Sequence, residues 1–309
     1  MTLRRKILTA IVGATAAIAS TSGVALAAGG ETKPLLHPHF HFDGVFGTYD
    51  KDALQRGYQV YRTICANCHS AKQLSFRNLG QKGGPFYLED CPEGVAENVQ
   101  CSNPNDNPIV KAIAAEYQVQ DGPDDYGDMF DRPGLPADKF PSPYPNEQVA
   151  RLANGGALPP DMSNLVKARH HGTAYIYSLL QGYMDEPPAT VEVPIGQYYN
   201  QYYPGDMTQY LKPEYLDEEG HPKEGVEVPK GGVFAMSQPL YDGMVDYADE
   251  DTPETVEQYA ADVVEFLMWA SEPKLEARKK LGVMTCLYLL VLSALLYFSY
   301  REIWSKVEH

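Results

Sequence analysis

The pentapeptide Cys65-Ala66-Asn67-Cys68-His69 constrains this chain more than any other stretch. Two thiols separated by two residues, with an imidazole immediately after them, form the attachment signature of a c-type haem. The thiols add to the two vinyl groups of the porphyrin, which brings the next residue close to the iron. His69 then binds the iron through one ring nitrogen, while a neighbouring acceptor fixes the other. A thioredoxin-like dithiol would be expected near a βαβ pattern, and a zinc site needs a second ligand pair. Neither accompanies the motif here, so the chain is organised around a covalently held porphyrin.

The 309 residues suffice for one large domain or two small ones, and a hydrophobic content of 44% supports a packed core. The counts of Gly (26), Pro (24) and Tyr (22) predict long irregular connections rather than a helical bundle or a regular sheet. Net charge is -16 over the whole sequence. Such a surface repels nucleic acid and attracts basic partners from a distance.

Both ends carry apolar segments of different kinds. Arg4, Arg5 and Lys6 precede the apolar stretch Ile7 to Ala19, and Ala25-Leu26-Ala27 fits a small-residue cleavage site. Ser20-Thr21-Ser22-Gly23 interrupts that stretch too early for a membrane span, so residues 1–27 read as a signal peptide removed after Ala27. Leu281 to Tyr300 is different: it contains no charged side chain and is flanked by Arg278-Lys279-Lys280 and Arg301. As a helix it is about 30 Å long, enough to cross a bilayer. The expected organisation is a signal peptide (1–27), an exported haem domain (28–277), a transmembrane anchor (278–300) and a cytoplasmic tail (301–309). The mature chain retains 22 basic and 41 acidic groups, a net charge of -19.

Within the exported part, Asp50 is placed to cap a helix with Leu54, Tyr58 and Tyr61 on one face, ending at the haem motif. Helical patches follow at Pro108 to Tyr117, Asn146 to Ala153 and Thr173 to Gln181. Thr252-Pro253-Glu254 reads as the start of a last helix, with Val256, Tyr259, Val263, Phe266, Leu267 and Ala270 on its face and Pro273 ending or breaking it. Cys91 and Cys101 lie ten apart in an exported loop, a disulfide by compartment and spacing; Cys286 falls in the membrane segment. His37, His39 and His41 alternate with Pro38 and Phe40 and are read as an aromatic arm rather than a metal strand. Arg132, after the acidic run Asp121 to Asp131, is a candidate partner for a haem propionate, since guanidinium matches carboxylate geometry.

The second axial position of the iron decides what such a domain does, because a Met thioether raises the potential and closes the site to ligands. Met129, Met162, Met184, Met207, Met236 and Met244 all remain open by position, with Met268 in a core helix and Met284 in the membrane segment.

Several longer blocks carry a family resemblance. They include Gln55-Arg56-Gly57-Tyr58-Gln59-Val60-Tyr61 before the haem motif, Met129-Phe130-Asp131-Arg132-Pro133-Gly134, and Gly156-Ala157-Leu158-Pro159-Pro160-Asp161-Met162-Ser163. Further on come Val166-Lys167-Ala168-Arg169-His170, Tyr198-Tyr199-Asn200-Gln201-Tyr202-Tyr203-Pro204-Gly205, and Phe266-Leu267-Met268-Trp269-Ala270-Ser271-Glu272-Pro273. Across nearly the whole mature length the chain resembles the cytochrome c1 family in its bacterial form. The resemblance implies a mostly α-helical, loop-rich cytochrome c-type domain with one C-terminal transmembrane helix and one covalent haem c. It implies Met236, in Ala235-Met236-Ser237-Gln238-Pro239-Leu240, as the second axial ligand, with Met207 the alternative; residues 206–231 look like an acidic insertion. It also implies a place in the bacterial inner membrane, haem domain on the periplasmic side, beside cytochrome b and membrane lipid. Electrons would arrive from a Rieske iron–sulfur protein and leave to a soluble basic c-type cytochrome, with no catalytic site of the chain's own. A membrane-anchored monohaem donor subunit of another respiratory complex is the other reading of motif plus anchor.

Overall fold

The computed structural model describes residues 32–305; the expected signal peptide lies outside the described residues. The body of the chain is built on a crossing of two helices. Helix α1 (Lys51–Thr63) begins where Asp50 accepts a hydrogen bond from the Ala53 amide, as the sequence predicts. Its buried face is Leu54, Gly57, Tyr58, Val60 and Tyr61. That face packs against a long helix near the C-terminus, Val256–Ser271. Tyr58 and Tyr61 meet Phe266 with ring centroids 5.7 and 5.5 Å apart, and Phe266 in turn stacks on the buried Trp269.

Gly57 sets how closely the two helices approach. A Cβ there would lie 2.0 Å from the Asp262 carbonyl oxygen and 2.8 Å from the Phe266 Cβ, and neither backbone can yield alone. Gly57→Ala should therefore force the crossing apart and destabilise the domain by about 1–3 kcal/mol. The urea midpoint of the holoprotein measures this, and an unchanged midpoint would refute the close-packing account.

Short elements fill the middle of the chain. Helix α2 (Phe76–Leu79) and helix α3 (Pro108–Ala115) pack together, the latter capped by the buried Asn107 side chain. Strands β1 (Gln118–Asp121) and β2 (Phe130–Pro133) form an antiparallel hairpin, Asp121 opposite Phe130. The acidic run Asp121 to Asp131 forms the outer end of this hairpin. Helix α4 (Glu147–Ala153) starts at Asn146, whose side chain accepts from the Val149 amide. Helix α5 (Gly172–Gln181) packs on Val256–Ser271. The N-terminal arm lies over it: Phe40 and Phe42 are stacked and buried, Phe40 meets Tyr177 edge-on, and the Leu36 amide donates to Ser178 Oγ.

Residues 201–231 leave the main body between strands β3 (Tyr198–Asn200) and β4 (Gly232–Phe234), which pair antiparallel. A second small core joins the acidic insertion to its flanks: Met207 and Leu211 are buried with Val191, Tyr199 of β3 and Val233 of β4. Cys91 and Cys101 are bonded, with Cα atoms 5.2 Å apart. Closing a loop of this length is worth about 2–3 kcal/mol in the chain-entropy account. The double Cys91→Ser, Cys101→Ser variant should lose that amount in chemical denaturation while keeping its haem.

The helix before Pro273, α6 (Val256–Ser271), starts later than Thr252-Pro253-Glu254 suggests. Thr252 spends its hydroxyl on Asp249 (2.6 Å), and the Glu254 carboxylate accepts from the Tyr247 amide. Thr255 takes over as the cap, and Asp242 accepts from the Val256 amide. Pro273 makes a short break. Glu272 braces it, pairing with Lys167 at 2.9 Å and with Arg278, while its carbonyl accepts from the Tyr49 hydroxyl. Helix α7 (Leu275–Trp304) then runs for 30 residues and is long and apolar enough to cross a membrane.

Candidate haem-binding site

The attachment motif is shaped by the end of α1. The Ile64 amide still donates to Val60, and a single 3-10 turn follows at Cys65–Asn67. The Cys68 and His69 amides both donate to the Cys65 carbonyl, at 3.1 and 2.8 Å. One tight turn therefore carries both thiols and the imidazole. Cys65 and Cys68 are both free, not bonded to each other. Burial pushes the Cys65 thiol up to about 12, so it is protonated at neutral pH.

His69 is buried, and its Nδ1 lies 2.9 Å from the Pro160 carbonyl oxygen. Only a protonated Nδ1 can donate to a carbonyl, which leaves the Nε2 lone pair for a metal. Burial holds the His69 pKa below its ordinary value, and the Pro160 hydrogen bond and the Asp161 charge oppose this only in part. The neutral ring that iron requires is thus the favoured form. The donor set fits a c-type haem: two unpaired thiols and an oriented imidazole on one turn.

The segment after the motif is stitched to the Pro160 loop. The Asp161 carboxylate accepts from Ser70 Oγ (2.8 Å), the Lys72 amide (2.8 Å) and the Ser163 amide (2.9 Å). The Met162 amide donates to the Ser70 carbonyl, and the Gln73 amide to Ser163 Oγ. Burial raises the Asp161 pKa, but the donors from Ser163, Lys72 and Ser70 outweigh it and hold the carboxyl below the usual range. It is a fixed anion that locks the Pro160 carbonyl against His69.

The other expected site residues lie on separate segments. Met236 is half-buried two residues beyond β4, and its carbonyl accepts from the Tyr183 hydroxyl at 3.0 Å. Met207 packs in the small core between the insertion and strands β3 and β4. Arg132 lies on β2 and is held by this chain's own carboxylates, Asp121 at 2.5 Å and Asp138 at 2.6 and 3.1 Å. Those contacts fix the hairpin to the loop after it. Arg169, in contrast, donates to the neighbouring Ala168 carbonyl and lines an open cavity of about 820 Å³ with Lys33 and Tyr175.

A model of the cytochrome c1 family matches residues 40–307. The chain belongs to the cytochrome c1 family. It is 37% identical over 309 residues to "Cytochrome c1" of Rhodospirillum rubrum, covering 93% of this chain and 96% of that protein. "Cytochrome b/c1" of Bradyrhizobium diazoefficiens is 40% identical over 282 residues, 85% of this chain; the chain spans about a third (34%) of that protein's length. "Cytochrome b-c1 complex catalytic subunit, mitochondrial" of Candida albicans is 42% identical over 274 residues, 88% of this chain and 76% of that protein.

For a cytochrome c1 family chain, the residues that sequence reading named least well are Pro160 and Asp161. Both stand in a block that carries the resemblance, but their link to His69 and Ser70 spans 91 residues. The usable signal was chemical: a haem-ligating His requires an acceptor, and the Pro-Pro-Asp turn offers carbonyls without competing amides.

Proposed function

We propose that this chain is the haem-bearing electron-transfer subunit of a cytochrome bc1 complex. The observation that carries the reading is the His69 imidazole, oriented by the Pro160 carbonyl on the same turn as two free thiols, in a chain of this family. Cys65 and Cys68 would hold haem c through thioether bonds, with His69 and Met236 as axial ligands. Bound there, the haem supplies a one-electron couple. The protein's contribution is rigidity: Asp161 and Ser163 fix the segment after His69, so little rearranges when the charge at the site changes. Arg132 would have to exchange Asp121 or Asp138 for a propionate.

The reading extends to partners and place. Electrons come from a Rieske iron–sulfur protein and leave to a soluble basic c-type cytochrome, with cytochrome b alongside. Helix α7 anchors the chain in a bacterial inner membrane, haem domain on the periplasmic side. The acidic surface steers the basic acceptor, so electron delivery should slow as salt rises.

Mild-detergent purification of the full chain, with a redox titration, tests this. Co-purification with a cytochrome b and a Rieske protein is the expected result. Isolation with an oxidase, or binding of carbon monoxide by the reduced protein, would refute it.

A further inference from the structure

The N-terminal arm forms a closed loop beside the start of α7. The Phe40 amide donates to Asp43 Oδ2 (2.9 Å), the Asp43 amide to the Phe40 carbonyl (3.0 Å), and the Thr48 amide to the His41 carbonyl (3.1 Å). At Gly47 a Cβ would fall 2.0 Å from the Asp43 carbonyl oxygen, so the loop closes tightly on itself. Phe40 and Phe42 point into the core, yet the tip residues Val45 and Phe46 are 62% and 83% exposed. Two neighbouring large apolar side chains on a fixed turn mark a surface that meets something apolar.

Helix α7 supplies the direction. The Tyr49 amide donates to the Glu276 carboxylate (2.9 Å). Closer to the tip, the Lys279 ammonium donates to the Gly47 carbonyl (3.2 Å) and to the Phe42 carbonyl. From Tyr49 to Gly47 the partner residue on α7 moves from Glu276 to Lys279, whose backbone lies about 4.5 Å further along the axis. That direction leads toward Leu281, where the charge-free run begins, and the next residues of the loop are Phe46 and Val45.

We propose that this loop is a second membrane contact, with Val45 and Phe46 seated between the headgroups and acyl chains of the leaflet that α7 enters. This rests on α7 being a membrane anchor. The occupant is lipid because the loop is tied to the anchor helix at the level where its apolar run starts. Lys279, occupied by two loop carbonyls, is the link between the two contacts. A helix alone leaves the domain free to turn about its axis, and a contact beside it removes that freedom.

The test is site-directed spin labelling of the full-length, haem-loaded chain in phosphatidylcholine–phosphatidylglycerol vesicles. Phe46→Cys and Val45→Cys are each made in a Cys286→Ser background, with the haem spectrum confirming the fold. Ile195→Cys, a fully exposed site, and Leu289→Cys, within the span, are the references. The expected result is a ratio of oxygen to water-soluble nickel accessibility at both tip sites several-fold above that at Ile195→Cys, approaching that at Leu289→Cys. Tip labels as water-accessible as Ile195→Cys, with Leu289→Cys lipid-like, would overturn the proposal and leave the anchor intact. Tip labels shielded from both reagents would overturn it in favour of a protein cover. A water-like Leu289→Cys would overturn the anchor and the proposal together.

Discussion

Met236→Leu should leave the haem attached and lower its reduction potential by on the order of 0.1 V or more, out of the roughly 0.8 V that axial ligation controls. The thioether stabilises the reduced iron, and leucine offers no donor in its place. Attachment depends on Cys65 and Cys68, which the substitution does not touch. The reduced variant should also bind carbon monoxide, since one axial position becomes open. Met207→Leu is the control. Met207 is buried among Val191, Tyr199, Leu211 and Val233, where leucine is a volume-conserving exchange costing less than about 1.5 kcal/mol. It should change neither potential nor ligand binding. If Met207→Leu moved the potential and Met236→Leu did not, the ligand assignment would be reversed.

Asp262→Ala should cost about 3–5 kcal/mol of stability, the range for removing one partner of a buried ion pair. Asp262 is 2% exposed at the α1–α6 crossing. Its carboxylate accepts two hydrogen bonds from the Arg56 guanidinium at 3.0 Å, one from the Tyr247 hydroxyl at 2.9 Å and one from Gln258 at 3.1 Å. Truncation leaves the Arg56 charge over the Tyr247 ring without its hydrogen-bonded carboxylate. Asp262→Asn keeps an acceptor and should cost distinctly less. Guanidinium unfolding of both variants separates the charge contribution from packing, and equal losses would show that the ion pair contributes little.

What could be read from the sequence was local. The haem motif, the Asp50 and Asn146 caps and the long apolar helix each depend on residues within a few positions of one another. The Cys91–Cys101 bond joins its partners across a short loop and was legible for the same reason. Features that depend on distant partners were not. Nothing near Arg132 announces that two carboxylates claim it: the β1–β2 pairing brings Asp121 to it, and the loop after β2 folds back to bring Asp138. The delayed start of α6 follows from a competition between Asp249 and the helix for Thr252, and either outcome suits the local pattern. Met207 is the alternative ligand by its place after the Tyr/Pro/Gly block, and only the fold shows that it packs with Val191, Tyr199, Leu211 and Val233.

Glu272 has a mechanical meaning. It stands in the three-residue interval between α6 and α7 and ties Lys167 of the domain to Arg278 of the anchor. The joint is a brace rather than a swivel. A span that meets a thinner bilayer relieves the mismatch by tilting. Through this brace the tilt would pass into α6, from α6 to the α1 crossing, and from α1 to the turn that carries His69. Bilayer thickness would then act as a mechanical input to the attitude of the haem.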